Sequence, residues 1–193
     1  MKLGLCAGLA AALFATTAGA ALKEGDNAPA FSAPASLAGK TFSYSLQDAL
    51  KKGPVVVYFY PAAFTGGCSV QAHLFAVQHD KFTAAGASIV GVSLDSIERL
   101  NEFSADPESC AGKIAVASDA GGRIARRFDL VVREAVAGRK DTRGAEIDHG
   151  YAERTTFVVT PDGRVAATVG GLGPVENVQR ALEAVQKLAA ARR

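Results

Sequence analysis

Paired cysteines are missing from this 193-residue sequence. Its three cysteines, Cys6, Cys68 and Cys110, form no C-x-x-C, so neither a zinc ribbon nor a zinc finger can be built from them. Histidine is as scarce, with three residues. His73 and His79 stand six apart on one helical stretch and point in different directions. No carboxylate-rich motif joins them or His149, so no metal is expected and all three read as structural or solvent-facing. An excess of charge is lacking too. Beyond residue 20 there are 20 Lys and Arg against 19 Asp and Glu, which gives no electrostatic reason to expect nucleic acid or an anionic surface as partner. A phosphate-binding loop is absent: "PASLAGKT" (34 to 41) ends like one, but Pro34 stands where its first glycine must be and no strand is read before it. No segment reaches the ~20 apolar residues of a spanning helix, so no stable membrane association is expected.

What is present divides at residue 20. Residues 1–20, "MKLGLCAGLAAALFATTAGA", carry one early lysine, an apolar stretch from Leu3 to Ala15, and Ala18, Gly19 and Ala20 before Ala21. That is the pattern of a cleavable signal peptide with an A-x-A site, which would remove Cys6 and place residues 21–193 in an exported compartment, expected to be a bacterial periplasm. With 49% hydrophobic residues in the whole sequence and charges of both signs interspersed, the remainder suits one globular domain. The two cysteines beyond residue 20, Cys68 and Cys110, stand 42 positions apart and would meet an oxidising environment.

Along the chain, "VVVYFY" (55 to 60) has no polar alternation and predicts a central strand buried on both faces. A helix is predicted over 69–86, with Val70, Leu74, Val77 and Phe82 near helical spacing and Gly86 as its stop. "ASIVGVSL" is a second buried strand, "SIERLNEFSADP" a helix, "KIAVASD" a short strand and "GGRIARRFDL" a helix. "RTTFVVTPDGRVAATVGG" is a hairpin around its "PDG" turn, and "VENVQRALEAVQKLAA" an amphipathic terminal helix. Residues 131–153 read as a strand or two interrupted by a polar loop. Early alternation of strand and helix closed by a hairpin predicts an α/β fold, a mixed sheet with helices on both faces.

The chemistry concentrates at "PAAFTGGCSVQAH" (61 to 73). Cys68 opens a helix, where free N–H groups and the helix dipole favour an anion, so its thiolate is stabilised. Gly66 and Gly67 let the backbone approach, and the Thr65 hydroxyl can hydrogen-bond at the same turn. The plainer reading is a small buried hydrophobe at a helix start. Gln71 stands where the second thiol of a C-x-x-C would be, which argues against a thiol-disulfide oxidoreductase.

Pro61, Thr65 and Cys68 form P-x-x-x-T-x-x-C between a strand and a helix. This resembles the active-site loop of the peroxiredoxins, thiol peroxidases with a thioredoxin-like fold. "AAGASIVGVSLDS", "ASDAGGRIARRFDL" and "YAERTTFVVTPDGRVAATV" follow in the order and spacing of the bacterioferritin comigratory, or peroxiredoxin Q, branch. The resemblance runs from about Gly25 to Leu188. It implies that Cys68 attacks the peroxide and becomes a sulfenic acid, that Thr65 hydrogen-bonds the thiolate and the peroxide, that Pro61 shields the site, and that Arg154 supports the thiolate and polarises the peroxide. It implies no cofactor.

The same branch usually keeps a resolving cysteine five residues after the first, and that position here is His73. A variant of the family places it near the helix after the second strand, which implies Cys110 as the resolving thiol, a Cys68–Cys110 disulfide, and a thioredoxin-like protein as reductant. By analogy with that branch, a monomer or weak dimer is expected. Two other readings stay open here: an exported thioredoxin-like oxidoreductase, and a binding module with a static Cys68–Cys110 disulfide.

Overall fold

The β-branched and aromatic runs form the centre of a seven-stranded sheet. The computed structural model describes residues 21–191; the expected leader, residues 1–20, lies outside the described residues. In chain order the first elements are β1 (Ser32–Leu37), β2 (Lys40–Ser45), α1 (Leu46–Leu50), β3 (Val55–Phe59), α2 (Gly66–Val77) and α3 (His79–Ala84). There follow β4 (Ser88–Ser93), α4 (Ile97–Ala105), β5 (Ala115–Ser118), α5 (Arg123–Arg127), β6 (Val132–Arg133) and β7 (Tyr151–Ala152). The chain closes with β8 (Thr155–Val159), β9 (Val165–Gly170) and α6 (Pro174–Ala190). The sheet order is β2-β1-β5-β4-β3-β8-β9, with β3, β4 and β5 parallel and the remaining pairs antiparallel.

Because β3 lies in the middle, its side chains alternate between two cores. Val56 and Tyr58 pack with Phe75, Phe82, Phe103, Val178 and Val185 from α2, α3, α4 and α6. Val55, Val57 and Phe59 pack on the other face with Leu46 and Leu50 of α1, Ile124 of α5 and Phe128. Each such fully buried side chain contributes roughly 1.5–3 kcal/mol, so both faces are held strongly. The expected mixed sheet with helices on both faces is therefore the observed one. On α6 the buried residues Val178, Ala181, Leu182 and Val185 recur at helical spacing and face β8 and β9. Opposite Tyr58 in the β3–β4 register stands Gly91, where a Cβ would lie 2.6 Å from the tyrosine ring carbon Cζ, so glycine makes the room that lets this tyrosine stand in the core.

Two expectations change, and the strand or two read in residues 131–153 are found. The helix expected over 69–86 starts at Gly66 and breaks at Gln78 (φ −94°, ψ 5°) into α2 and α3. Its inner face is Cys68, Gln71, Ala72, Phe75 and Ala76, while Val70 and Val77 are 44% and 63% exposed. "PASLAGKT", where no strand is read, is the tip of the β1–β2 hairpin. Its two turn residues, Ala38 (φ 50°) and Gly39 (φ 77°), both take the left-handed conformation of a two-residue hairpin turn. Ser104 of α4 fixes this hairpin, sharing a 2.8 Å hydrogen bond with Ser36 and accepting one from the Gly39 N–H at 2.9 Å. Residues 131–153 hold β6 and β7 as a separate antiparallel pair. Among the described residues no helix is long and apolar enough to cross a membrane.

Candidate active site

The loop between β3 and α2 is pinned at almost every residue. The Tyr60 N–H donates to the Val92 carbonyl, the Ala63 N–H donates to Asp95 Oδ2 at 2.8 Å, and the Ala63 carbonyl accepts from Arg99 Nη2 at 3.0 Å. Phe64 has φ 58°, a left-handed conformation that costs a side-chain-bearing residue roughly 1–2 kcal/mol. It persists because its carbonyl accepts from both the N–H and the hydroxyl of Thr142, at 2.9 and 2.8 Å. Its ring meets Phe103 edge-on and carries the Arg143 guanidinium 3.3 Å from the ring centre. Pro61 is half-buried at the strand end.

Thr65 is the N-cap of α2 in extended backbone, but its hydroxyl donates to the Ala62 carbonyl at 2.9 Å and caps nothing. The expected hydrogen bond from Thr65 to the Cys68 sulfur is therefore not the one it makes. Its proton is committed to the backbone, and its oxygen is left to accept. The first two N–H groups of α2, those of Gly66 and Gly67, have no helical partner.

Cys68 follows in the first turn, 2% exposed. Arg154, just ahead of β8, brings Nη2 of its permanently charged guanidinium to 3.4 Å from Cys68 Sγ. A Cβ on Gly67 would stand 3.2 Å from that same nitrogen, so the glycine leaves the guanidinium its place. The second nitrogen, Arg154 Nη1, donates to Gln71 Oε1. Gln71, fully buried, donates in turn to Asn177 Oδ1 of α6 at 2.9 Å. Asn177 also accepts from Thr156 at 2.6 Å and donates to the Val169 carbonyl at 3.0 Å. Sequence reading treats Gln71 only as a missing thiol. The signal that could have found it is its spacing, one helical turn after Cys68 and so on the same face. Asn177 gives no such signal, since only the packing of α6 brings it here.

Cys110 is fully buried in the turn after α4, within the same core cluster as Cys68. The residues beside the two cysteines meet: Ser109 Oγ lies 3.4 Å from Ser69 Oγ and donates to Asp106 Oδ2 at 2.9 Å. Both thiols are free. Burial pushes the Cys110 thiol well up from its ordinary range, and the Asp106 charge adds to this, while the nearby Tyr58 hydroxyl opposes it. In the closed structure Cys110 is thus a protonated thiol.

Of the histidines, His79 lies beside Asp80 near the surface at 3.3 Å, and His73 has a buried Nδ1 with no hydrogen-bond partner. His149 takes the structural place of the two expected, with its Nε2 2.9 Å from the buried Asp95 carboxylate that holds the active-site loop. Among the described residues no group of three His, Cys, Asp or Glu is placed to hold a metal ion.

The family model described as the AhpC/TSA family matches residues 25–168. The peroxiredoxin Bcp of Escherichia coli K12 is 32% identical over 144 residues, covering 75% of this chain and 83% of its own. The solved structure of peroxidoxin BcpB from Mycobacterium tuberculosis superposes with a TM-score of 0.72 at 27% identity, covering 86% of this chain and 98% of its own. The bacterioferritin comigratory protein of Xanthomonas campestris, whose solved structure bears on its alkyl peroxide reduction activity, superposes with a TM-score of 0.62 at 28% identity, over 81% and 91% of the two chains.

Proposed function

This chain belongs to the AhpC/TSA family and is a peroxidase oxidoreductase of the peroxiredoxin kind, and on that premise we propose the route by which its own residues work. The Cys68 thiolate attacks one oxygen of a hydroperoxide, either hydrogen peroxide or an organic one. The S–O bond forms, the O–O bond breaks, and the departing oxygen leaves as water or an alcohol after taking up a proton. Arg154 stabilises the charge on both sulfur and departing oxygen, and Thr65 Oγ1 accepts from the peroxide O–H. Pro61 and Phe64 wall the site. The observation that carries this reading is the Arg154 guanidinium, 3.4 Å from a cysteine in the first turn of a helix and fixed from behind by Gln71.

The sulfenic acid then condenses with Cys110: the S–S bond forms and water leaves. Supporting this are the shared core cluster and the Ser69–Ser109 approach. Both sulfurs are buried, and Cys110 is a protonated thiol, so the first turn of α2 and the 106–112 turn must open before they join. A dithiol protein of the thioredoxin type reduces the disulfide. The reading includes export, resting on the leader-like residues 1–20, with a periplasmic site of action.

One equivalent of hydrogen peroxide on reduced protein, followed by mass mapping, tests the cycle. The expected product is a Cys68–Cys110 disulfide in the wild type and a Cys68 sulfenic or sulfinic acid in Cys110→Ser. Wild-type protein over-oxidised at Cys68 with Cys110 still reduced would end the two-cysteine route. An unreactive Cys68 would end the peroxidase reading. Cell fractionation with N-terminal sequencing tests export, for which a chain starting at Ala21 is expected.

A further inference from the structure

Behind the active-site loop lies a buried charged cluster that peroxide chemistry itself does not use. Asp95 is fully buried at the end of β4. Its Oδ2 accepts from the Ala63 N–H at 2.8 Å and from the Ser93 hydroxyl at 2.7 Å. Its Oδ1 accepts from His149 Nε2 at 2.9 Å and lies 2.9 Å from Arg99 Nε. Arg99 also bridges the Ala63 carbonyl and the buried Asp141, whose other oxygen takes the N–H groups of Arg143 and Ala145. Ala63 is thus gripped at both its N–H and its carbonyl by one cluster, two residues before Thr65 and five before Cys68.

The protonation of His149 follows from its neighbours. Nε2 faces a carboxylate oxygen, and Nδ1 lies 2.7 Å from the Gly150 carbonyl. Both partners only accept, so both ring nitrogens carry protons. The side chain is 15% exposed, and no water need take either role.

We propose that His149 is a positioning residue for the peroxidase reaction: as an imidazolium it holds the Asp95 carboxylate that fixes the loop at Ala63, and loss of its proton loosens Thr65 and Cys68. The charged and titratable groups around it are Asp95 from the loop after β4, Arg99 from α4, Asp141 and Arg143 from the 136–147 loop, and the buried Tyr60 hydroxyl near Ser93. Arg99 supplies a permanent charge, so deprotonation of His149 leaves Asp95 with one cation in place of two; the neutral ring keeps its proton on Nε2, and Nδ1 and the Gly150 carbonyl are left as two acceptors facing each other. Burial acts to lower the His149 pKa, but its hydrogen bond and charge pairing with Asp95 outweigh that and raise it above the ordinary value. The switch therefore operates on the alkaline side of the usual histidine range.

The inference rests on Cys68 being the peroxide-reactive thiol, and the experiment separates the two. Rapid quenching with an alkylating agent gives the rate of Cys68 oxidation by hydrogen peroxide from pH 5 to 9, normalised to the thiolate read from its ultraviolet absorbance. Heteronuclear NMR follows the His149 ring nitrogens and the Ala63 amide. In the wild type the normalised rate falls, and the Ala63 amide moves, with the midpoint at which His149 titrates. In His149→Gln, which keeps a donor to Asp95 but cannot titrate, the rate at pH 6 is about tenfold lower and the alkaline fall is gone. A His149 that is neutral across this range, an Ala63 amide that ignores its titration, or an unchanged rate profile in the variant overturns the proposal. The wild-type NMR and rate data decide it even if the variant does not fold. Wild-type Cys68 that does not react with peroxide at all fails the peroxidase reading instead, and the NMR still decides whether His149 governs Ala63.

Discussion

Gln71 changes meaning most between sequence and structure. By its spacing from Cys68 it reads as the thiol that a C-x-x-C would have had, and it proves to be the residue that holds Arg154 from behind. Gln71→Met keeps the volume and removes both hydrogen bonds. It leaves the Arg154 Nη1 nitrogen without its acceptor and takes one of three hydrogen bonds from the buried Asn177 amide, at about 1–3 kcal/mol in stability by denaturant unfolding and about tenfold in the rate of Cys68 oxidation. Arg154→Lys keeps the charge but cannot serve sulfur and Gln71 with two fixed nitrogens, so the expected loss in that rate is about hundredfold. Cys68, Thr65 and Pro61 were legible because their motif is contiguous, and Arg154 only through the family resemblance that this motif carries. Gln71, Asn177 and His149 were not, because their importance lies in what they touch across 54 to 106 residues of chain.

Among elements, the sequence discloses those whose side chains alone decide their burial. β3 and β4 are unbroken apolar runs, and α6 has a clean helical stripe. β1 and β2 escape because their residues are small or polar, β2 lies at the sheet edge with no buried residue, and Pro34 argues against a strand. Pro34 is tolerated because only Ala35 and Ser36 of β1 pair with β5. The α2 start was misread by two glycines that look like a turn but serve the site. The hairpin offers its own test. Ala38 sits exposed at φ 50°, a conformation that asparagine accepts far more easily, so Ala38→Asn is expected to stabilise the protein by roughly 0.5–1 kcal/mol in urea unfolding without changing peroxide reactivity.

For the molecule as a whole, the Asp95–His149 pair predicts how stability depends on pH. Burial would raise the Asp95 pKa, but its bonds with His149, Ala63 and Ser93 outweigh burial and lower it, so its contribution is present above the ordinary carboxylate value of about 3.9 and is lost as pH falls through the folded value. His149 is raised, so its contribution is complete below about 6.5 and is lost as pH rises through its folded value. The melting temperature of the wild type should therefore exceed that of His149→Gln most between pH 5 and 6, by about 3 °C, and the gap should close in alkaline solution. Arg154 has a consequence on the same scale, since it joins the sulfur to Gln71 and through Asn177 to the last helix. Both sulfurs are buried and must come out to join, so whatever keeps α2 closed prolongs the life of the sulfenic acid. The grip of the last helix is in this sense a timer, set against the arrival of a second peroxide. Loosening it by Asn177→Ala should shift the products at excess peroxide away from Cys68 sulfinic acid and towards the disulfide.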